Sequence, residues 1–344
     1  MEGLLELNWI YLLIAAFAGG AFGAAIGALP AFIFTGLMVI AGEAGGLTGV
    51  TGQVAFGPVF GPHVSFAGGA AAAAYAAKKG YMTSGFDYQE SKNIGYALGP
   101  KNDVLIVGGL FGILGLLITQ VSANFALPWD PIAVAVVLSA LIHRVAFGYS
   151  LIGKVSGSGI LDMTPFEREE KKSSDEGTVS DQQKDATDRL ATEPWLPHQY
   201  KWGSVAGVSL FAGILGGFIA VETGSAFLAF GISAASLLFL NLGVEKIPVT
   251  HHMTLPASTI ALAVMANEGG ALSGLGETGA IVIAGLLAVV TGLFGEFFQR
   301  VFYSHGDTHV DPPAAAITFG TLLIALMYFA GILGTGVWIP GTTP

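Results

Sequence analysis

The chain has 344 residues, 53% of them hydrophobic and only 11% charged, with mean hydropathy +0.67 and a formal net charge of −10. Soluble globular domains carry about 25% charged residues, so this composition excludes an ordinary soluble enzyme or nucleic-acid-binding module and points to a lipid bilayer. The absence of cysteine excludes disulfide frameworks and thiolate metal sites.

A helix needs about 20 apolar residues to cross a bilayer. The first such stretch is 9–27. It lacks the basic lead of a signal peptide, having Glu2 and Glu6 instead, and is read as a retained span. Gly19, Gly23 and Gly27 give it a small-xxx-small row for close helix packing. A second span is expected at 30–46. The third, 54–77, carries Gly57, Pro58, Gly61 and Pro62 just before His63 and Ser65. The fourth, 104–125, has Gly108 and Gly112, and Asp130-Pro131 opens the fifth, 131–152. The polar tract 154–201 follows, too poor in apolar residues to form a core. It is expected to be largely disordered, with a short helix near 181–191.

Five further spans follow: 203–221 with Gly213 and Gly217, then 225–243, 247–267, 280–302 and 312–335. The span 247–267 contains Pro248 and Pro256 around His251, His252 and Thr254. In 280–302, Glu296 and Arg300 are spaced to pair along one helix face. Asp311-Pro312 opens the last span. The runs are apolar on all sides, unlike the alternating segments of a barrel, and backbone in lipid must bond internally. All are therefore expected to be helices.

The two sets of five share landmarks in the same order. Phe17-Ala18-Gly19 recurs as Phe211-Ala212-Gly213, and Val107-Gly108-Gly109-Leu110 as Ile283-Ala284-Gly285-Leu286. Pro58-Val59 before His63 recurs as Pro248-Val249 before His251, and Asp130-Pro131 as Asp311-Pro312. Five is odd, so two copies in one membrane must lie oppositely oriented. The expected fold is an all-α polytopic membrane protein of about ten transmembrane helices in two inverted five-helix repeats, 1–153 and 202–344, joined by an acidic linker at 154–201.

Basic residues favour cytoplasmic span ends. With ten spans, all 14 Lys and Arg fall on one side. The other side carries Glu2, Glu6, Glu43, Asp130, Glu222, Glu268 and Glu277. This places the linker in the cytoplasm and both termini outside, in a multi-pass protein of the plasma membrane. The low-lysine, acidic, cysteine-free composition also suits a salt-loving organism.

Proline lacks an N–H and clashes with the preceding turn, so the third and eighth spans should bend or break. Broken helices at matching positions of two repeats point to a transport site. His63, Ser65, His251, His252 and Thr254 are then pathway candidates; the alternative is that these prolines only mark first helical turns. Asp130 and Asp311 are a symmetric carboxylate pair at the pathway mouths, or simply N-caps, a role that Asp-Pro suits. In the run His305, Asp307, His309, Asp311, four ligand types alternate on one face of an extended segment. It is a metal site or, alternatively, a polar loop ending in an N-cap. No triad, phosphate loop or dinucleotide fingerprint is present.

The architecture is similar to the broad class of five-plus-five inverted-repeat membrane proteins, which includes sodium- and proton-coupled carriers and urea- and ammonium-type channels. His309-x-Asp311-Pro312-Pro313 resembles the His-Pro-Pro signature of a small membrane family linked to anion transport. An Asp stands in the His position, so no residue roles carry over. The expected function is a transporter or channel for a small polar solute or ion, without enzyme activity or cofactor. Its partners are the bilayer and the solute, with further copies of the chain admissible and nucleic acid excluded. The rivals are a membrane-embedded metal-dependent enzyme using 305–311 and a non-catalytic subunit of a larger complex.

Overall fold

The computed structural model describes residues 7–172, 189–266 and 269–342. Glu2, Glu6, Lys184 and Glu268, and nearly all of the helix expected at 181–191, lie outside them. Ten helices of fourteen or more residues are described: α1 (Leu7–Ile26), α2 (Ala28–Ala44), α3 (Ser65–Lys78), α4 (Asn102–Asn124) and α5 (Pro131–Ala146), then α7 (Trp202–Thr223), α8 (Leu228–Asn241), α9 (His251–Met265), α10 (Gly276–Phe302) and α11 (Pro312–Phe329). A single-turn α6 (Thr164–Glu167) lies between the two sets. No strand is described beyond the isolated bridge between Lys171 and Leu190.

All ten expected spans carry a helix, but not all are of spanning length. Five helices are long and apolar enough to cross a membrane: Trp9–Ile26 within α1, then α4, α7, α10 and α11. The shorter apolar helices α2, α5 and α8 run 14 to 17 residues. At 1.5 Å per residue they are about 21–26 Å long, short of a hydrocarbon core of about 30 Å. The molecule is thus an all-helical protein of membrane-like composition. Its long helices turn large side chains outward, such as Tyr11, Ile14, Leu110, Phe211, Leu215 and Leu286, where lipid would solvate them.

The 54–77 stretch is not one helix. A π-helical turn at Val50–Ala55 gives way to turns through Gly57–Val64, and only then does α3 begin. Pro58 and Pro62 withhold the amides that would continue the ladder, and Ser65 Oγ donates to the loosened Phe60 carbonyl at 3.2 Å. The 247–267 stretch behaves differently: α9 starts at His251, past Pro248, and runs unbroken through Pro256. The expected break at Pro256 therefore does not occur.

Each set of five packs by one scheme. α1 lies on α4 and α3, as α7 lies on α10 and α9; α3 packs on α4 and α5, as α9 packs on α10 and α11. Small residues make this possible. Gly20 sits against the backbone of Gly108 and Gly112, and Gly23 against that of Ser65. In the other set, Gly213 meets Ala284, Gly285 and Ala288. The two sets join through α2 with α8 and α5 with α11. Among the described residues α3 and α9 do not pack together, and the sets meet through their second and fifth helices.

The loops that carry basic residues gather at one end of the bundle. Leu29 N donates to Ile94 O, Gly99 N to Ala25 O and Glu193 N to Ser304 O. Arg144 donates to the carbonyls of Leu151, Phe302 and Thr308. The described parts of the tract expected to be disordered, 154–172 and 189–201, pack into this end: Ala191, Thr192, Glu193, Leu196 and Tyr200 are all buried. Ion pairs and backbone contacts tie them down, and Leu196 and Trp195 join a hydrophobic core cluster.

Candidate functional site

Both Asp-Pro sequences do what that pair does locally: they start helices. Asp130 Oδ1 accepts from Ile132 N at 2.8 Å and from Ala133 N at 3.2 Å. Asp311 Oδ2 accepts from Ala314 N at 2.9 Å. Capping is not all that they do. Asp130 N donates to Thr321 Oγ1 at 2.9 Å, and Thr321 lies in the middle of α11. The start of α5 is therefore set against the middle of α11, inside the bundle and not at its rim.

The starts of α5 and α11 open into one cavity of about 620 Å³, within the usual range for small-ligand sites. Asp130, Pro131 and Ile132 line it from one set of helices, and Asp311, Pro313 and Ala314 from the other. The lining also takes in Asn93, Asn241 and Lys92 from the end that holds the basic loops, and Ala123 and Pro340 from the other end. Most of the wall is aromatic and aliphatic. A chain of rings runs from Trp338 to Phe227 (5.3 Å between centroids), Phe56 (5.2 Å), Phe230 (5.7 Å) and His251 (5.8 Å).

Of the seven residues singled out from the sequence, Asp130, His251 and Asp311 line the cavity. The other four do not. His63 is buried, its carbonyl under Gly115 of α4. Ser65 satisfies the carbonyls of the broken third stretch. His252 packs edge-on against Trp195, with ring centroids 6.0 Å apart. Thr254 Oγ1 donates back to His251 O at 3.3 Å. The third and eighth stretches supply Phe56, Pro62, Phe66, Val249, His251 and Leu255 to the wall.

The 305–311 run does not converge on one point. His305 Nε2 bonds Ile160 O at 3.1 Å, Asp307 Oδ1 takes Arg189 Nη1 at 2.6 Å, and His309 Nε2 bonds Asp311 Oδ1 at 3.1 Å. Among the described residues no three His, Asp or Glu side chains are placed to hold a metal ion. The chain turns at Ser304–Thr308 instead of running extended, so the alternation does not put the four side chains on one face.

Lys92, which lines the cavity, carries no local sequence signal. Lys92 lies on the short 3-10 turn Glu90–Lys92 and is fully buried, its Nζ 2.7 Å from Glu193 Oε2 and 2.8 Å from Tyr303 O. Arg189 bridges Glu193 (2.5 Å) and Asp307 (2.6 Å), and Lys172 reaches Asp307 at 3.4 Å. Burial pushes the Glu193 carboxyl up, but Lys92 and Arg189 more than offset this and hold it below its ordinary value. Asp307 behaves alike: burial raises it, and Arg189 and Lys172 bring it below the usual range. Burial pushes the Lys92 ammonium down, against the pull of Glu193. A paired lysine in loop sequence looks like a solvated one, so only its distant partners reveal it.

Residues 3–342 match the model of a family of unknown function, DUF7973, and the chain belongs to that family. No curated protein and no solved structure matches it.

Proposed function

We propose that this DUF7973 chain is an integral membrane transporter or channel, in which a small solute passes between two inverted five-helix repeats through the cavity at the starts of α5 and α11. One observation carries the reading. Asp130-Pro131 and Asp311-Pro312, the counterpart landmarks of the two sequence copies, open into the same cavity. Helix starts at mid-depth are tolerated in a membrane only where protein or a wet cavity satisfies them. Paired interrupted spans around such a cavity are a feature of carriers built from inverted repeats.

Two further features support it. The internal packing scheme of α1–α5 recurs in α7–α11, as expected of a duplicated unit. The cavity lining draws on both ends of the bundle, as a through-path requires. In this reading the end rich in Lys and Arg faces the cytoplasm and both termini lie outside.

Purified protein in proteoliposomes, assayed for uptake of a broad panel of labelled organic and inorganic ions and neutral solutes, tests the proposal. Uptake above that of empty vesicles, reduced by Asp130→Ala, is the expected result. Rates no different from empty vesicles across the panel would overturn it.

A further inference from the structure

The chemistry of the cavity wall narrows the solute class, and this step rests on the pathway reading above. We propose that the cavity takes a small monovalent organic cation: an ammonium head on an apolar body.

The charges in the wall are unequal. Lys92 is its one basic residue, and its Nζ is already engaged by Glu193 and Tyr303 O. Its charge is offset by Glu193 and its side chain is fully covered, which leaves little to attract an anion. Both helix starts, which would otherwise attract an anion, hold their own carboxylates: the amides of Ile132, Ala133 and Ala314 are taken by Asp130 and Asp311. Asp130 uses Oδ1 for both amides, and its Oδ2 takes no hydrogen bond among the described residues. Asp130 Oδ2 is thus a free charged acceptor in the wall, and such an acceptor selects a donor or a cation.

Two buried imidazoles add to this. His251 and His309 line the cavity at 5% and 1% exposure, and the Nδ1 of each lacks a partner among the described residues. Buried polar atoms are seldom left unbonded. A neutral imidazole nitrogen is a further acceptor for an ammonium N–H.

The rest of the wall suits an apolar body. The rings of Trp338, Phe227, Phe56, Phe230 and Phe32 follow one another at centroid spacings of 5.2–5.9 Å, and Phe32 stands 4.8 Å from His251. Aromatic faces attract cations within about 6 Å, and more strongly once the cation is desolvated. A small inorganic cation would gain little from such walls, because it needs several oxygen ligands.

Three probes share one ring and differ in charge: benzylammonium, benzoate and benzyl alcohol. Binding to purified protein and uptake of the two ions into proteoliposomes would be measured for wild type, Asp130→Asn and Asp311→Asn. Asn is as good an N-cap as Asp, so these variants remove the charge and keep the helix starts. Benzylammonium should bind and be taken up, with each variant weakening binding about tenfold, as loss of one charge-assisted contact implies. Benzoate and benzyl alcohol should not compete. Uptake of benzoate without the cation overturns the proposal and leaves the pathway standing. Cation binding unchanged in both variants overturns the role of the two carboxylates. No binding or uptake of any probe overturns the cation assignment, and if the broad panel also fails, the pathway with it.

Discussion

The backbone amide of Asp130 donates to the hydroxyl of Thr321 at 2.9 Å, joining the first residue before α5 to the middle of its counterpart helix, 191 residues away in sequence. This bond sets the depth of one helix start against the other. Thr321 Oγ1 in turn donates to Ile317 O at 2.8 Å, so it stays on its own helix while it holds the partner.

Thr321→Val keeps the shape and removes the acceptor. A buried amide left unbonded costs about 1–3 kcal/mol. The variant should melt lower than wild type in detergent, as read by tryptophan fluorescence or scanning calorimetry, and should lose uptake in proteoliposomes out of proportion to its lost stability. A melt equal to wild type would show that the bond does not position α5.

Asp130→Ala should destabilise by about 1 kcal/mol through loss of the cap, whereas Asp130→Asn should be nearly neutral. Denaturant titration of both variants separates the capping role of the residue from its charge. If the two variants are equally destabilised, the charge and not the cap is what matters to folding.

The network of Lys92, Glu193, Arg189, Asp307 and Lys172 makes stability depend on pH in a definite direction. Glu193 and Asp307 titrate below their ordinary values in the folded protein. The unfolded chain therefore takes up protons first as acid is added. Their contribution is complete above the unfolded carboxylate values, about pH 4, and is lost as pH falls from there through the folded values. Melting temperature should drop steeply below about pH 4. In Glu193→Gln that drop should be shallower, and at neutral pH the variant should already be about 3–5 kcal/mol less stable, because a buried ion pair loses one partner.

Close packing of α1 on α4 rests on glycine. A Cβ on Gly20 would press into the Gly108 carbonyl and Gly112, whereas one on Gly203, at the start of α7, meets nothing within 4 Å. Gly20→Leu should abolish or strongly reduce folded yield from membranes, overpacking costing at least about 1–3 kcal/mol. Gly203→Leu should behave as wild type in size-exclusion chromatography. Equal behaviour of the two would argue against the α1–α4 contact.

The sequence by itself determined what depends on neighbours along the chain. Apolar runs placed the ten helices, and Asp130-Pro131 and Asp311-Pro312 marked two of their starts. Glu296 and Arg300, four apart on α10, pair at 2.6 Å. The prolines before Ser65 marked a real interruption, because a missing N–H acts on its own turn whatever the surroundings. Pro256 shows the limit of that rule: one proline inside α9, with α7, α10 and α11 packed around it, does not stop the helix.

Only the tertiary structure decided which of these residues meet. His63 and Ser65 had the same local credentials as His251, yet packing buries His63 beneath α4 and Ser65 against α1 and turns His251 to the cavity. Lys92 looked like a solvated loop residue until Glu193, 101 positions away, closed over it. Asp130 and Asp311 looked like marks at opposite mouths, yet both border one interior space. Membership of a cavity depends on long-range packing, set here by small residues at helix crossings and by buried charge pairs, and no local pattern encodes the depth at which a helix begins.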